Sequence, residues 1–157
     1  MNASVDEIGR VAGAEGWDID WHKGGTVVLA RTPLQLQSAR DEVAALRKWG
    51  FGSDDLALLD AREATDRARA TDVLGGTYTP HCAALHPARL VRHLAKAVVG
   101  MGVTLHEGTR VQAIEPGIVR ADHGTVRAEI IVRATEGYTR SLQGQTRTLS
   151  PVYSLML

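Results

Sequence analysis

The segment that begins at Pro87 sets the strongest limit on how this chain can fold. It reads PARLVRHLAKAVVGMG, and a proline at the first helical position followed by apolar residues at helical spacing and two closing glycines predicts an amphipathic helix. Such a helix needs a surface to cover, so we expect a fold in which helices pack on a sheet. The broad apolar stripe consists of Leu90, Val91, Leu94, Ala95, Val98 and Val99.

A capping box marks the start of a second helix. Thr32 precedes Pro33, and Gln35 stands three residues after Thr32, so the two polar side chains can bond the first backbone N–H groups of a helix. We expect this helix to end at Gly50. Its apolar face is formed by Leu36, Ala39, Val43 and Leu46.

The first 31 residues predict a helix followed by a hairpin. Ser4 precedes DEIGRVAGAEG, which has acidic residues in its first turn and apolar residues at helical spacing, and this helix should end near Gly16. The runs DIDWHK and TVVLAR are separated by Gly24 and Gly25, a spacing typical of a tight turn. We therefore predict a β-hairpin over residues 17–31.

Short strands account for most of the remaining chain. LALLD (56–60) predicts a short strand or turn, AREATDRARA (61–70) a short polar helix, and VLGGTYT (73–79) a strand weakened by its glycines. Beyond the Pro87 helix we predict strands in VTLHEG, VQAIEP, GIVRAD, TVRAEIIVRAT and TLSPVYSLML, with turns at Pro116-Gly117 and His123-Gly124. The expected fold class is α+β, with a mixed or antiparallel sheet and packed helices.

Composition argues against several classes of partner. Lysine plus arginine number 18 and aspartate plus glutamate number 18, so no net charge attracts nucleic acid or an anionic membrane surface. No run of 18 apolar residues and no signal-peptide pattern occurs, and a single cysteine cannot form an internal disulfide. We expect one compact unit, located in the cytoplasm, without nucleic-acid or membrane partners.

The segment YTPHCAALHPARL (78–90) contains the cysteine and two candidate metal ligands. His81, Cys82 and His86 supply at most three ligands and need not converge, so loop and cap roles are favoured over a metal or thiol site, with His86 as the N-cap. Free cysteine is among the most buried residue types, so we expect a packed thiol. No GxGxxG, P-loop, HExxH or GxSxG motif occurs, and no catalytic residue is identified.

Several motifs follow one another in a recognisable order. Gly75-Gly76 leads through Pro80 to HPARL (86–90), and the helix is followed by Gly-Val (102–103), EGTRV (107–111), DHG (122–124) and ATEGYT (134–139). In this order and spacing the chain resembles the FAD-dependent oxidoreductases of the D-amino-acid oxidase type, which include glycine and sarcosine oxidases and γ-glutamylputrescine oxidases. The resemblance runs from about Val5 to the last residue.

The resemblance implies an enzyme in which FAD accepts a hydride from the C–H beside the nitrogen of an amine or amino-acid substrate. It implies that the backbone of Val111 contacts the adenine end of FAD, and that the turn formed by Thr135, Glu136 and Gly137 approaches the ribose and pyrophosphate. The residues alone leave simpler readings open, because Val111 could be an ordinary strand residue and Gly137 an ordinary strand-end turn.

The resemblance also implies substrate contacts and a division into parts. Tyr78 and His81 lie on the segment that faces the substrate-domain sheet in this family, so both are candidate substrate contacts. Residues 1–85 would belong to the substrate domain and residues 86–141 to part of the FAD-binding domain, as a helix plus a β-meander. Residues 142–157 would form a return strand toward the substrate domain.

The chain departs from the family pattern in three respects. Glu136 stands where asparagine or a small residue is commoner, and LQGQ (142–145) replaces L-P-G. The GxGxxG unit that cradles the FAD pyrophosphate would lie ahead of Met1, and a part that closes over the flavin would follow YSLML. We therefore expect an enzyme fragment that is inactive alone, binds FAD weakly or not at all, and forms homo-oligomers through exposed sheet edges. The alternative is a stand-alone α+β interaction module without catalysis.

Overall fold

The structure, a computed structural model, describes residues 2–152. Its α+β class is as predicted, and every strand pair in the described part is antiparallel. The elements in chain order are α1 (Asn2–Ala14), β1 (Thr26–Ala30), α2 (Pro33–Lys48), β2 (Ala57–Leu59), α3 (Ala61–Arg67), β3 (Gly75–Thr79), α4 (Pro87–Gly100), β4 (Val111–Glu115), β5 (Ile118–Ala121), β6 (Gly124–Arg127) and a 3₁₀ helix (Glu136–Ser141).

The chain divides into two compact units, Met1–Gly102 and Val103–Leu157. The expectation of one compact unit was wrong, because the strands form two separate sheets of three strands each. β1, β3 and β2 pair with one another in the first unit, and β4, β5 and β6 pair with one another in the second. Each sheet therefore makes its inter-strand hydrogen bonds within its own part of the chain.

The first unit is built around β3, which lies between β1 and β2. Thr77 of β3 stands opposite Val28 on one side and Leu58 on the other, so these three side chains share one face of the sheet. α2 covers this face, and α3 lies on the opposite face, where Arg67 stacks on Tyr78. The small apolar core of this unit consists of Ala12, Ile19, Ala30, Leu56, Leu59 and Ala64.

The capping box predicted for α2 is confirmed. The Thr32 hydroxyl accepts a hydrogen bond from the Gln35 N–H at 3.2 Å, and the Gln35 side-chain carbonyl accepts from the Thr32 N–H at 3.1 Å. The helix runs to Lys48, and Gly50 follows with a φ of +85°, which closes it as predicted. The half-buried residues of α2 are Leu36, Ala39, Val43 and Leu46, the predicted apolar face.

Two N-terminal predictions were wrong. α1 begins at Asn2, so Ser4 lies inside the helix and does not precede it. The hairpin over residues 17–31 does not form, because β1 pairs with β3 and residues 17–25 take other partners. His22 forms an isolated bridge with Ala84, and the Gly25 N–H donates to the Cys82 carbonyl at 3.0 Å.

α4 has its predicted limits, but its apolar stripe is largely uncovered within the described residues. Val91, Leu94 and Val99 are 62%, 44% and 51% exposed. The prediction that a sheet packs over these three residues was therefore wrong. The other members of the stripe, Leu90, Ala95 and Val98, are half-buried. On another side of the helix the ring of His93 stacks on Trp17 with a centroid distance of 5.5 Å, so part of the contact between α4 and its unit is made outside the stripe.

The second unit contains the predicted meander with the DHG turn between β5 and β6. The expected strand at 103–108 and the continuation of β6 through residue 135 do not form, and residues 148–152 are likewise not strand. These segments have no partner strand among residues 2–152, and a strand needs one to satisfy its backbone groups. The rest of the predicted last strand, residues 153–157, lies outside the described residues.

Candidate functional site

Val111, the residue predicted to meet adenine, is the first residue of β4. It stands opposite Ala121, and a β-bulge follows between Val111 and Ala113. β4 is an edge strand of its sheet, so one row of its backbone N–H and C=O groups has no strand partner within residues 2–152. The position therefore offers hydrogen-bonding backbone groups beside a local irregularity of the strand.

An open depression of about 430 Å³ lies beside the start of β4. The Gln112 side-chain amide donates to the Asp122 carboxylate at 3.3 Å, which ties the bulge to the DHG turn. Polar groups dominate the lining, so the depression suits a polar ligand with several hydrogen-bonding atoms. It is lined by Arg110, Val111, Gln112, Asp122, Ser141 and Gln143.

In the turn predicted to approach the ribose and pyrophosphate, side chains form hydrogen bonds within the turn itself. Glu136 has a φ of +40°, and its carboxylate accepts a hydrogen bond from the Gly137 N–H. The hydroxyl of Thr135 lies 2.7 Å from that of Thr139, a residue that is only 4% exposed. Among residues 2–152, an added Cβ at Gly137 would meet nothing nearer than Pro151 at 4.0 Å, so no group in this range approaches the glycine closely.

Tyr78, a predicted substrate contact, lies on the middle strand of the first sheet. The guanidinium of Arg67 is 4.0 Å from the centroid of its ring. Its hydroxyl is 3.4 Å from the carbonyl oxygen of Gly24. One face of the ring is thus covered by a cation, and a ligand that reaches this position from that side meets Arg67 before it meets Tyr78.

His81, the other predicted substrate contact, is held by an aspartate that sequence reasoning missed. His81 Nε2 lies 3.2 Å from Asp55 Oδ1, and Asp55 Oδ2 accepts from the Gly52 N–H at 2.8 Å. His81 Nδ1 is buried and has no partner among residues 2–152. In the same loop, the Arg47 guanidinium donates to the carbonyls of Phe51, Gly52 and Leu56 at 2.7 to 3.0 Å.

The profile of the DAO family, described as FAD dependent oxidoreductase, matches residues 1–157. The chain belongs to this family. Because the match extends over the whole sequence, it includes both compact units and all residues that the motif order had singled out. The predicted resemblance is therefore confirmed at the level of the family.

Three solved structures share the fold of this DAO-family chain. Glycine oxidase from Geobacillus kaustophilus matches 92% of the chain and 39% of its own length, with 23% identity and a TM-score of 0.71. Glycine oxidase from Bacillus cereus ATCC 14579 matches 82% and 37%, with 19% identity and a TM-score of 0.66. L-proline dehydrogenase from P. horikoshii matches 91% and 39%, with 16% identity and a TM-score of 0.72. The chain thus spans about two fifths of the length of these proteins.

The histidine and cysteine segment of the DAO-family chain differs from expectation in one respect. Cys82 is exposed, so the prediction of a packed thiol was wrong. Its backbone carbonyl accepts a hydrogen bond from the Gly25 N–H, and this bond does not bury the side chain. His86 is the N-cap residue of α4 as predicted, although its side chain makes no capping hydrogen bond.

Residues 2–152 contain neither a metal-binding cluster nor a membrane-spanning helix. No group of three or more His, Cys, Asp or Glu residues in this range is arranged to hold a metal ion. No helix in the same range is long and apolar enough to cross a membrane. The cytoplasmic location stays a prediction.

One ion pair near the β4–β5 turn shifts the pKa values of both its members. Arg120 Nε donates to the Glu115 carboxylate at 2.9 Å, and this hydrogen bond lowers the pKa of Glu115 and raises the pKa of Arg120. Because the pKa of Glu115 is lowered on folding, its contribution to stability is present above the ordinary glutamate pKa and is lost as the pH falls through the lowered value. Both side chains are solvent-exposed, so screening keeps this contribution small.

Proposed function

We propose that this chain forms part of an FAD-dependent oxidoreductase that acts on the CH–NH bond of an amine or amino acid. The observation that carries the proposal is the edge of β4 at Val111, which borders an open polar depression in a chain of the DAO family. When bound, FAD supplies the hydride acceptor, and the residues of this chain bind and orient the reacting molecules. We further propose that residues 1–85 serve the substrate, residues 86–141 serve FAD, and residues 142–157 return to the substrate domain.

The groups around Val111 fit the adenine end of FAD. Adenine presents both donors and acceptors along one edge, and the backbone row of β4 that has no strand partner among residues 2–152 offers N–H and C=O groups in alternation. Asp122 and Gln112 add further hydrogen-bonding atoms at the depression. The chain would hold adenine through its backbone at Val111, with polar side chains completing the contact.

The turn at Thr135, Glu136 and Gly137 does not fit a pyrophosphate in its present conformation. The Gly137 N–H is already bonded to the Glu136 carboxylate, and a second negative charge nearby would repel that carboxylate. For the turn to take its proposed role, the Glu136 side chain must leave Gly137. Glu136 therefore acts against binding of the phosphate-bearing part of FAD.

The isolated 157-residue chain is expected to purify with far less than stoichiometric FAD and to show no amine oxidation. Its sequence has no GxGxxG loop to cradle the pyrophosphate, and the Gly137 N–H is already bonded to the Glu136 carboxylate. Flavin absorbance of the denatured protein measures the bound FAD. A yellow protein with nearly one flavin per chain would contradict this expectation.

The activity itself is tested on the longest reading frame that contains this chain. We expect that protein to carry FAD and to reduce it with at least one member of a panel of amines and amino acids under anaerobic conditions. Flavin bleaching reports hydride transfer, and release of ammonia or a primary amine reports imine hydrolysis. A flavoprotein that none of these compounds reduces, but that a different substrate class does reduce, would refute the proposed CH–NH specificity while leaving the family intact.

Glu136→Asn is expected to raise the affinity of the chain for ADP, which carries the adenine and pyrophosphate of FAD, by about 5- to 10-fold, because the Gly137 N–H is freed and a like charge is removed. Asparagine tolerates positive φ, so the turn should keep its backbone conformation. Isothermal titration with ADP measures the change. Glu129→Gln removes an exposed charge from the same unit and is the control. Equal gains in both variants would assign the effect to net charge alone.

A non-catalytic interaction module is the second candidate function. It is favoured by exposed large side chains, since Leu34 is 77% and Trp49 is 81% exposed, and by the open edges of β1 and β2 among the described strands. In that case the chain would form homo-oligomers through its sheet edges and would bind no nucleotide. Homo-oligomers in light scattering together with no response to ADP would favour the interaction module, whereas ADP binding would favour the flavoenzyme.

A further inference from the structure

The outer side of β1 (Thr26–Ala30) is open in the described part of the chain. Among residues 2–152 this strand pairs with β3 alone, so one row of its backbone N–H and C=O groups lacks a strand partner. Apart from that pairing, its backbone makes one hydrogen bond in this range, from the Leu74 N–H to the Ala30 carbonyl at 2.8 Å, and Leu74 directly precedes β3. Val28, its central residue, is 59% exposed. A further strand can therefore add to this edge of the sheet.

β1 lacks the features that usually protect an open sheet edge. Its sequence, TVVLA, contains neither a charged residue nor a proline, and it pairs with β3 without a bulge. The other edges among the described strands are shorter or interrupted. β2 has only three residues, β4 has a bulge after Val111, and β6 has four residues and carries Arg127. β1 is thus the longest unprotected edge in this part of the chain.

An apolar groove of about 320 Å³ lies beside this edge, between β1 and the first half of α2. Val28 and Leu34 line it and are 59% and 77% exposed, so water contacts both side chains. A strand that pairs with β1 would cover the open side of the groove and remove this apolar surface from water. The apolar lining consists of Val28, Leu29, Ala30, Leu34 and Ala39.

We propose that this edge binds β1 of a second copy of the chain, in an antiparallel pair related by a two-fold axis at Val28. In that register Val28 of one copy faces Val28 of the other, Val27 faces Leu29, and Thr26 faces Ala30. All five residues of the strand then pair, and apolar side chains face apolar side chains. The axis runs perpendicular to the sheet, so the grooves of both copies lie on the same face and open toward each other.

The charges of the chain favour a second copy as the occupant. In the proposed register Arg31, which follows β1, faces Gly25 of the other copy, so no like charges oppose one another along the strand. The 18 basic and 18 acidic residues leave no net charge that would hold two copies apart. The inference deepens the interaction-module candidate by naming the edge, and it is independent of nucleotide binding, so its failure would leave the flavoenzyme proposal untouched.

Light scattering of the 157-residue chain over a range of concentrations is the first test. We expect a reversible dimer whose dissociation constant rises at least about 10-fold in Val28→Lys, because two like charges then face each other at the centre of the pair. Leu58→Lys is the matched control, since Leu58 shares the face of the sheet with Val28 but lies on the opposite edge and is 42% exposed. It should change the constant by less than about 2-fold. A chain that stays monomeric up to about 1 mM would overturn the proposal.

Disulfide cross-linking tests the register itself. Residues that face each other in an antiparallel pair have Cα atoms about 4.5 to 5.5 Å apart, within the range that a disulfide spans. We expect Val28→Cys, in a Cys82→Ser background, to form a covalent dimer on mild oxidation, and Leu58→Cys in the same background to remain largely monomeric. Cross-linking of Leu58→Cys without cross-linking of Val28→Cys would refute pairing through β1. This arm also decides if Val28→Lys fails to fold, as judged by circular dichroism.

A mixture of two charged variants tests whether Val28 lies at the centre of the pair. Val28→Lys and Val28→Glu should each dimerise weakly, whereas an equal mixture should recover the dissociation constant of the unmodified chain to within about 3-fold, because lysine then faces glutamate. A mixture that stays monomeric would contradict the register. Leu94→Lys examines the other exposed apolar surface, the stripe of α4. Loss of the dimer in Leu94→Lys but not in Val28→Lys would assign self-association to α4 and overturn the proposal.

Discussion

Gly76→Ala is expected to destabilise the first compact unit by about 3 kcal/mol or more, the largest effect of any substitution considered for this chain. An alanine Cβ at this position would lie 2.3 Å from the carbonyl oxygen of Val28 and 3.4 Å from the Cα of Leu29. Both atoms belong to the backbone of β1, so no side chain can rotate away to make room. β1 and β3 would have to separate, and β3 is the strand on which the sheet depends.

Urea unfolding followed by tryptophan fluorescence measures this loss. Trp17, Trp21 and Trp49 all lie in the first unit, so the signal reports that unit and not the second. Gly100→Ala is the matched control, because an added Cβ at Gly100 meets no atom of the described residues within 4 Å. Alanine at the end of α4 should change stability by less than about 1 kcal/mol. A Gly76→Ala protein as stable as the control would mean that β1 does not approach β3 as closely as described.

Gly25→Ala is expected to cost about 2 to 4 kcal/mol, for two separate reasons. Gly25 has a φ of +78°, a backbone conformation in which a Cβ collides with the following carbonyl. The added Cβ would also lie 2.4 Å from the carbonyl oxygen of Thr79 and 2.6 Å from the ring of Tyr78. The substitution should therefore displace Tyr78 as well as lower the free energy of unfolding.

Gly24→Ala is the matched control for this second prediction. The two glycines are adjacent, but an added Cβ at Gly24 meets no atom of residues 2–152 within 4 Å, and the φ of Gly24 is not positive. Its effect should stay within about 0.5 kcal/mol, as for an ordinary surface substitution. Tryptophan fluorescence in urea measures both variants. Equal destabilisation by the two substitutions would show that the loop has no close contact with Tyr78.

The limits of α2 and α4 were predictable because their start and end signals are local. The capping box at Thr32 and Gln35 joins residues three apart, and Pro87 sets the first turn of α4 by its own covalent geometry. Strand pairing was less predictable, because it depends on distant partners. TVVLA does form β1, but it pairs with β3, nearly 50 residues further along the chain, instead of the adjacent run.

In the candidate site, too, what could be predicted depends on whether the residues are linked by a pattern along the chain. Val111 and the turn at Glu136 were found because the order of short motifs resembles a known family, and these remain predictions of cofactor contact. Arg67 and Asp55 were missed, because their partners Tyr78 and His81 lie 11 and 26 residues away and no local pattern links them. The sequence shows only that Arg67 ends a polar helix and that this helix precedes the central strand, which does not predict contact with Tyr78.

By itself, the sequence determined the α+β class, the limits of α2, the existence and limits of α4, the DHG turn and the family. Each of these depends on residues close together along the chain, or on an order of motifs that is visible in the sequence itself. Only the tertiary structure decided which strands pair and that the chain divides at Gly102. It alone placed the Arg67 guanidinium on Tyr78. The reason is that packing brings together groups whose separation along the chain carries no information about their separation in space.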